Sequence, residues 1–388
     1  MDFSFLFDLP TRIVFENSIL SRAGEETKKL ACGHRTLLVT DSGILRTGIA
    51  DTVQSSLQQA GFDCMLFDRV EPNPKDVDCE EGGRAARDFN ADMIVAVGGG
   101  SVIDSAKAIA LLHTHNGKLT AYEGKGKVVN EVTPIVAIPT TAGTGSEVTR
   151  SAVITDTQRK FKMTIKDVRL APRLALVDPE TTYALPASLT ATTGMDALVH
   201  AIEAYTCRLA NPFSDALALA AMERIFPWLR AAVKDGSDKV ARSQLMTGSL
   251  LAGVAFSHAD VAAVHCLAEA LGGIYDIPHG AGNSMFLPAV TAYNAQADPQ
   301  RHARVAAACG LPVGGLSDVD ASKLLVDALE KLSADINIPD FAGFPGVKEE
   351  DFPFLAEAAQ KNGSTPSNCR AIGQENYLGI LKACYSQG

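Results

Sequence analysis

A helical stretch near the middle of the chain pairs a carboxylate with an imidazole. The run from Gly194 to Tyr205 predicts a helix, which places Asp196 and His200 four residues apart on one face. Such a pair can supply two ligands to a divalent metal ion. For an isolated match, a buried Asp–His hydrogen bond without a metal is the more common explanation.

Two histidines further along the chain extend this pair. His265 lies in the apolar stretch 261–267, where a polar side chain needs a partner, and His279 follows a proline that makes its loop rigid. Each could be a structural histidine held by a hydrogen bond. Together with Asp196 and His200 they offer one carboxylate and three imidazoles, a set that suits Fe²⁺ or Zn²⁺ better than Mg²⁺ or Ca²⁺. We call these four residues the Asp–His cluster.

Two loops rich in glycine follow apolar strands in the first half of the chain. The second of them, Pro139–Ser146, also carries several hydroxyl side chains. Glycines at a strand-to-helix turn let a phosphate approach the backbone at the positive end of the helix. The first loop lacks the G-x-G-x-x-G fingerprint, and both loops could be purely structural turns. Two such loops after strands of one sheet point to a dinucleotide. The first glycine loop consists of Gly98, Gly99, Gly100 and Ser101.

Asp41 ends an early predicted strand, 36–40. An acidic residue at such a position can accept hydrogen bonds from the ribose 2′-hydroxyl of NAD and repel the 2′-phosphate of NADP. The alternative is a turn-forming aspartate ahead of Gly43. Both interpretations are open from the local sequence.

The elements that must position these residues change character near residue 185. Before it, short apolar strands alternate with helices, a pattern typical of a parallel sheet in an α/β, Rossmann-like domain. After it, long amphipathic stretches predict an all-helical domain. We therefore predict an NAD-binding α/β domain over 1–185 and a helical metal-binding domain over 186–388, with the active site in the cleft between them. The predicted strands are 36–40, 64–67, 93–97 and 132–138, and the helices predicted after residue 185 include 215–233, 243–256, 261–271 and 321–332.

The composition excludes several classes of partner. Hydrophobic residues make up 46% and charged residues 21%, as in a globular protein, and the net charge is −10. An acidic chain without a run of Lys or Arg is not expected to bind nucleic acid or an anionic membrane. No stretch reaches the roughly 20 apolar residues of a membrane span. Asp2 and Pro10 are atypical of a signal peptide, and the eight cysteines form no Cys-x-x-Cys pair, so we expect reduced thiols in a cytoplasmic protein.

Taken together, these segments resemble the iron-dependent (group III) alcohol dehydrogenase family over essentially the whole chain. The joint order and spacing are far more specific than any single motif. The resemblance implies an N-terminal Rossmann-like domain that binds NAD(P) and a C-terminal helical domain that holds the metal, a fold shared with dehydroquinate synthase. It rests on the two glycine loops with Asp104, Lys107 and Glu147, on the run Gly194–His200, and on His265 with the Pro-His-Gly sequence at 278–280.

The resemblance also implies roles for individual residues. The family's metal ligands fall on the Asp–His cluster, and its pyrophosphate contacts fall on the first glycine loop. Asp41 occupies a position where an acidic residue favours NAD over NADP. Further nucleotide contacts fall on Asn73, Thr140, Thr141, Thr144, Thr149 and Lys162.

The chain departs from the family pattern at three positions near the third ligand. Glu269 stands where many members have a histidine, so it is either a carboxylate base in the proton relay or an ordinary polar helix residue bonded to a neighbour. His258 and Asp260 stand where Asn and Gly are common. They would make the substrate pocket polar if they line it, and otherwise they cap or start a helix.

The resemblance implies a metal-dependent, NAD(H)-linked alcohol dehydrogenase or aldehyde reductase for a small primary alcohol or aldehyde, polar if His258 and Asp260 line the pocket. The metal, Fe²⁺ or else Zn²⁺, would act as a Lewis acid and the nicotinamide would exchange the hydride. A homodimer is expected. The alternatives are a polyol (glycerol-type) dehydrogenase, a dehydroquinate synthase-like lyase, which would need a basic phosphate pocket in the helical half, and a nucleotide-binding protein without catalysis.

Overall fold

The computed structural model describes residues 4–386, so Asp2, which entered the signal-peptide argument, lies outside the described residues. The chain divides into two compact units. The sheet unit comprises Leu9–Thr141 and Gly145–Ala184. The helical unit comprises the N-terminal residues up to Asp8, the short segment Ala142–Thr144 and the chain from Leu185 onward. All eight cysteines are free thiols, as the scattered spacing predicts.

The sheet unit contains a six-stranded parallel sheet and a smaller three-stranded one. In chain order the strands are β1 (Arg12–Phe15), β2 (Arg35–Val39), β3 (Asp63–Phe67), β4 (Met93–Gly98), β5 (Gly124–Lys125), β6 (Ile135–Pro139), β7 (Ser151–Asp156), β8 (Phe161–Lys166) and β9 (Leu174–Val177). The helices of this unit are α1 (Ala23–Lys28), α2 (Ser42–Leu45), α3 (Ile49–Gln59), α4 (Asp76–Phe89) and α5 (Gly100–Thr114). The large sheet has the order β1-β9-β6-β4-β2-β3, and the small sheet has the order β5-β8-β7.

The central strand β4 is buried along its whole length because helices cover both faces of the sheet. Its side chains alternate between two hydrophobic cores: Val95 and Val97 pack in one, and Ile94 and Ala96 pack in the other. The uninterrupted apolar run 93–97 therefore belongs to a parallel strand, as predicted.

The strand order brings the predicted ligand-binding segments to one edge of the sheet. Strand β4 pairs with β2 on one side and with β6 on the other, all in parallel. Asp41 and the two glycine loops follow the carboxyl ends of these three neighbouring strands. This is the edge at which open α/β sheets bind ligands. Strands β1 and β9 and the small sheet were not predicted.

The helical unit consists, within the described residues, of nine α-helices and short 3₁₀ turns. The helices are α6 (Ala187–Thr206), α7 (Pro212–Lys234), α8 (Lys239–His258), α9 (Ala263–Tyr275), α10 (His279–Ala295), α11 (Pro299–Ala308), α12 (Asp318–Asp335), α13 (Phe352–Lys361) and α14 (Gln374–Ser386). The four helices predicted after residue 185 correspond to α7, α8, α9 and α12. The prediction of an α/β N-terminal part followed by a helical C-terminal part is confirmed.

Over residues 4–386, no single helix is both long and apolar enough to cross a membrane. Only α8 and α9, bent by 98° at the break between them, meet the length and composition criteria as a pair.

Gly98, at the end of β4, is required by packing. A Cβ atom there would lie 2.5 Å from Cγ2 and 2.6 Å from Cβ of Val102, in the first turn of α5. Val102 is buried and β-branched, so it has little freedom to move aside. Packing alone thus explains why position 98 of the first glycine loop is a glycine, whether or not a ligand binds there.

We expect Gly98→Ala to destabilise the protein by about 1–3 kcal/mol through overpacking. Val102→Ala in the same chain should recover part of this loss because it removes the clashing methyl groups. Thermal unfolding of both single variants and the double variant checks the coupling. Additive effects of the two substitutions would show that the methyl groups of Val102 are not what limits Gly98.

Candidate functional site

The Asp–His cluster assembles inside the helical unit from three helices. Asp196 and His200 lie one turn apart on α6, His265 lies in the first turn of α9, and His279 begins α10. One ligand atom from each residue lies within 4.8 Å of the others. His200 Nδ1 lies 3.9 Å from Asp196 Oδ2, which is too far for a hydrogen bond. The alternative of a direct Asp–His hydrogen bond, which the sequence left open, is therefore not what the structure contains.

The distances around Asp196 leave room for an ion. Its Oδ1 lies 4.0 Å from Nε2 of His265 and 3.8 Å from Nε2 of His279. Such separations exceed a hydrogen bond, and roughly match ligands that each lie about 2.1 Å from a shared metal. The four side chains therefore converge on a common point without bonding one another.

The residues present fit a divalent metal ion. Among the described residues, nothing accepts or donates a hydrogen bond at Nδ1 of His200 or Nε2 of His265, although both atoms are buried. An unsatisfied buried polar group costs about 1–3 kcal/mol, and a metal ion would satisfy both nitrogens at once. Burial lowers the pKa of His200 to about 4, so its ring is neutral and can donate a lone pair.

Asp196 keeps its negative charge despite complete burial. Burial by itself raises the pKa of this carboxyl, but the three nearby histidines and a hydrogen bond from Asn283 outweigh it, and the net pKa lies below the ordinary value. Asn283 Nδ2 donates to Asp196 Oδ1 at 2.6 Å and lies 3.1 Å from His279 Nε2. Asn283 was not predicted as a site residue, although its place four residues after His279 on one helical face was a usable signal.

A second carboxylate, Glu203, adjoins the cluster and was also missed. Its Oε2 lies 2.6 Å from His265 Nδ1, and its side chain is 3% exposed. Glu203 lies seven residues after Asp196, two turns along the same face of α6, which is a spacing the sequence contains. Two buried carboxylates, Asp196 and Glu203, therefore lie at the site.

The cluster is closed except beside His279. The side chains of Asp196, His200 and His265 are 2%, 5% and 3% exposed, whereas that of His279 is 27% exposed. On the closed side the ring of Phe256 stacks on His200, with 4.2 Å between centroids and 14° between planes. A small molecule would therefore approach along the His279 side.

In the sheet unit, buried Lys107 holds the second glycine loop and its continuation. Its Nζ donates to Ser146 Oγ at 2.7 Å, to Thr149 Oγ1 at 2.9 Å and to the carbonyl of Ser151 at 2.7 Å. It also pairs with Asp104 at 3.3 Å. Burial lowers the pKa of Lys107, and the Asp104 charge opposes this effect. One ammonium thus ties α5, the loop after β6 and the start of β7 together.

The remaining predicted nucleotide residues lie at the same strand ends or on the small sheet. Thr140 Oγ1 is buried and has no hydrogen-bond partner in the described part of the chain, as expected for a group that binds a ligand. Thr141 lies against Gly99, and Thr149 is bonded to Lys107, whereas Thr144 groups with the helical unit. Lys162 on β8 donates to Asn73 Oδ1 at 2.8 Å.

Asp41 caps α2 in the manner of a turn-forming aspartate. Its Oδ1 accepts hydrogen bonds from the backbone N–H groups of Gly43, at 2.7 Å, and Ile44, at 3.0 Å. The structural interpretation of this residue is thereby established. Its role in choosing the nucleotide stays a prediction.

Known proteins resemble the whole chain. The model of the iron-containing alcohol dehydrogenase family matches residues 10–179, and that of the Fe-containing alcohol dehydrogenase family, C-terminal part, matches residues 190–385. A 1,3-propanediol dehydrogenase of Citrobacter freundii is 44% identical, covering 98% of this chain and 99% of the relative. An NAD-dependent methanol dehydrogenase of Bacillus methanolicus is 39% identical, covering 97% of this chain and 98% of the relative. A crystal structure of 1,3-propanediol oxidoreductase matches with a TM-score of 0.95 and 42% identity, covering 98% of this chain and 100% of that one.

The chain belongs to the iron-containing alcohol dehydrogenase family.

This membership confirms the resemblance and the enzyme class predicted from the sequence. The protein is an oxidoreductase of the alcohol dehydrogenase type, and the family implies both a metal ion and NAD. The Asp–His cluster is the group of side chains among the described residues that could hold such a metal. One carboxylate and three imidazoles suit Fe²⁺, which agrees with the iron in the name of the family.

Glu269, at the position where many iron-containing alcohol dehydrogenases have histidine, is bonded to a neighbour. Its Oε2 accepts a hydrogen bond of 2.6 Å from Asn362 Nδ2, at the end of α13. Glu269 is thus a polar helix residue bonded to a neighbour, which is one of the two interpretations that the sequence left open. It does not test whether the carboxylate also takes part in proton transfer.

The two other unusual positions of this alcohol dehydrogenase are engaged in structural contacts. The ring nitrogens of His258 lie 2.7 Å from the carbonyl of Val254 and 2.9 Å from that of Asp8. Asp260 accepts hydrogen bonds from Ser364 and Ser367. These bonds account for both residues without a substrate, so a polar pocket built from them gains no support.

We expect Lys107→Met to destabilise the protein by about 3–5 kcal/mol, because Asp104 and the loop hydroxyls lose a buried partner. The dissociation constant for NADH should also rise, on the order of tenfold, as the loop loses its anchor. Urea unfolding and a fluorescence titration with NADH measure the two effects.

Lys361→Met is the matched control, because Lys361 is a surface lysine paired with Glu357 and 71% exposed. It should change stability by less than about 0.5 kcal/mol and leave NADH binding unchanged. Unaltered NADH affinity in a folded Lys107→Met protein would mean that this network does not organise the nucleotide loop.

Proposed function

We propose that this protein is a metal-dependent, NAD(H)-linked dehydrogenase of small primary alcohols that also reduces the corresponding aldehydes. The observation that carries the proposal is the convergence of Asp196, His200, His265 and His279, with two buried imidazole nitrogens left without a hydrogen-bond partner among the described residues. The substrate class is supported by the relatives named for 1,3-propanediol and methanol, both of which are small primary alcohols.

In this proposal the Asp–His cluster holds the metal. The family favours Fe²⁺, and the same ligands also suit Zn²⁺. When bound there, the metal supplies Lewis-acid chemistry that lowers the pKa of an alcohol hydroxyl. The residues of the chain do the rest. Asp196 contributes a permanent negative charge, neutral His200 contributes a lone pair, and the side beside His279 admits the substrate. We keep Glu269, one turn beyond His265, as the candidate proton acceptor.

The nucleotide half of the proposal rests on backbone groups. When bound, NAD supplies the chemistry that accepts the hydride. Helix α5 is 15 residues long and begins at Gly99 and Gly100 with no side-chain cap, so its first N–H groups can face a pyrophosphate. Thr140 adds a buried hydroxyl at the neighbouring strand end. We assign NAD binding to residues 1–185 and metal binding to residues 186–388, and we keep a cytoplasmic homodimer as a prediction.

The proposed function is tested by turnover of small alcohols and aldehydes. We expect the metal-loaded protein to oxidise methanol, ethanol or 1,3-propanediol with NAD and to reduce the matching aldehydes with NADH. Turnover of glycerol would favour the polyol dehydrogenase alternative. Conversion of a phosphate ester into a carbocycle would favour the lyase alternative. Absence of any aldehyde reduction by a protein with a full complement of metal would contradict the proposal.

Removal of a proposed ligand should abolish both metal binding and turnover. We expect Asp196→Ala and His279→Ala to lose bound metal on dialysis and to lose at least about 1,000-fold in kcat/KM, the equivalent of roughly 4 kcal/mol of transition-state stabilisation. Elemental analysis and NADH absorbance measure the two effects. His34→Ala, an exposed histidine in the sheet unit, should behave as the parent protein. An active variant without metal would contradict the assignment of the cluster.

Preference for NAD over NADP should depend on the charge of Asp41. Asp41→Asn keeps the side-chain oxygen that caps α2 and removes only the charge. We expect the ratio of kcat/KM for NADPH to that for NADH to rise on the order of tenfold, because repulsion of the 2′-phosphate is relieved. The control is Asp51→Asn, an exposed carboxylate in the first turn of α3. An unchanged ratio in Asp41→Asn would leave Asp41 as a helix cap alone.

A further inference from the structure

Glu203 is a buried carboxylate that the proposed chemistry does not use directly. It lies near the end of α6, on the face that also carries Asp196 and His200, and its side chain is 3% exposed. A buried carboxylate is costly unless hydrogen bonds replace its hydration. Glu203 has three such bonds, and all of them come from the beginning of α9.

Two of these bonds cap α9 from another helix. Glu203 Oε2 accepts from the backbone N–H of Ala262 at 2.8 Å, and Oε1 accepts from that of Val264 at 2.7 Å. Ala262 is the N-cap residue of α9, and no side chain of α9 itself caps the helix. Glu203 therefore satisfies N–H groups that a capping box would otherwise satisfy locally.

The third bond reaches a proposed metal ligand. His265 Nδ1 lies 2.6 Å from Glu203 Oε2, whereas Nε2 of the same ring points toward the cluster. A carboxylate beside Nδ1 accepts its N–H and so leaves the lone pair on Nε2, the tautomer that a metal requires. One side chain thus fixes the position of α9, the orientation of the ring and the site of its proton.

We propose that Glu203 is the positioning residue of the metal centre and also balances its charge. With ionised Asp196, it brings two negative charges to a site that would hold a divalent cation among neutral imidazoles. In a buried environment such neutrality lowers the electrostatic cost of holding the ion. The inference rests on the proposed function, because it assigns Glu203 a role toward the metal of that same site.

The test is the affinity of the protein for Zn²⁺, measured by chelator competition on metal-stripped full-length protein. In Glu203→Gln the amide can place its NH₂ group beside Val264 N–H or beside Ala262 N–H, and either choice sets two donors against each other. We expect this variant to bind Zn²⁺ about 10–100-fold more weakly than the parent protein. Glu203→Asp keeps the charge with a shorter reach and should recover part of the affinity.

Substitution of Asp238 by Ala is the matched control for lost helix capping. Asp238 is the N-cap residue of α8 in the same unit, where it accepts from the Val240 and Ala241 N–H groups at 3.0 Å each, and it does not belong to the Asp–His cluster. We expect Asp238→Ala to lower the melting temperature of the metal-free protein, because both capping bonds are lost, but to leave the Zn²⁺ affinity unchanged. The visible spectrum of the Co²⁺-loaded protein gives a second readout, which should change in Glu203→Gln and not in Asp238→Ala.

The outcomes separate this inference from the function on which it rests. Failure of the parent protein to bind Zn²⁺ would overturn the metal centre itself. Parent-like Zn²⁺ affinity and Co²⁺ spectrum in Glu203→Gln, with only a lowered melting temperature, would reduce Glu203 to a helix cap and overturn the inference. If Glu203→Gln does not fold, Glu203→Asp decides in the same way, since a purely structural role predicts parent-like affinity in every folded variant.

Discussion

The helical unit brings a buried carboxylate and three imidazoles together without letting them bond one another. Two imidazole nitrogens there lack a partner among the described residues, and an ionised carboxylate faces them at about 4 Å. Such an arrangement is unfavourable in a protein interior unless something binds in it. The surrounding structure must therefore hold the groups apart against their tendency to pair. Glu203 holds His265 through Nδ1, the ring nitrogen away from the cluster, and Asn283 donates a hydrogen bond to Oδ1 of Asp196. Both hydrogen bonds come from residues outside the Asp–His cluster.

The ligands of the site come from three helices, so these helices must approach one another closely. Glycines at the points of contact make this approach possible. A Cβ atom at Gly194 would lie 2.3 Å from Leu229 Cδ1, and one at Gly280 would lie 2.7 Å from the carbonyl oxygen of Thr192. The first contact packs α6 against α7, and the second packs the start of α10 against α6. Since Gly280 directly follows His279, the clearance at this glycine determines how near that imidazole comes to Asp196.

The sequence was most informative where one short run contains both a fold signal and a chemical group. The continuous apolar run of β4 followed by glycines, and the helix of Asp196 and His200, could be recognised without a structure. The pattern also predicted α7, α8, α9 and α12. Strands β1 and β9 escaped because each has only four residues, too few for a period to be read. Glu203 escaped for a different reason: its function depends on the start of α9, some 60 residues away, and a capping bond between two helices leaves no local motif.

The positions that differ from the family pattern mark the limit of inference from motifs. His258 and Asp260 suggested a polar pocket because they stand beside the third ligand in sequence. In the fold their side chains bind the carbonyl of Asp8 and the hydroxyls of Ser364 and Ser367, so they fasten distant segments of the helical unit to the turn between α8 and α9. That turn leads directly into Ala262 and His265. Unusual residues next to a ligand can therefore stabilise the backbone that carries it. Glu269 is the exception to examine, because it lies one helical turn beyond His265 and near enough to influence the charge on that ring.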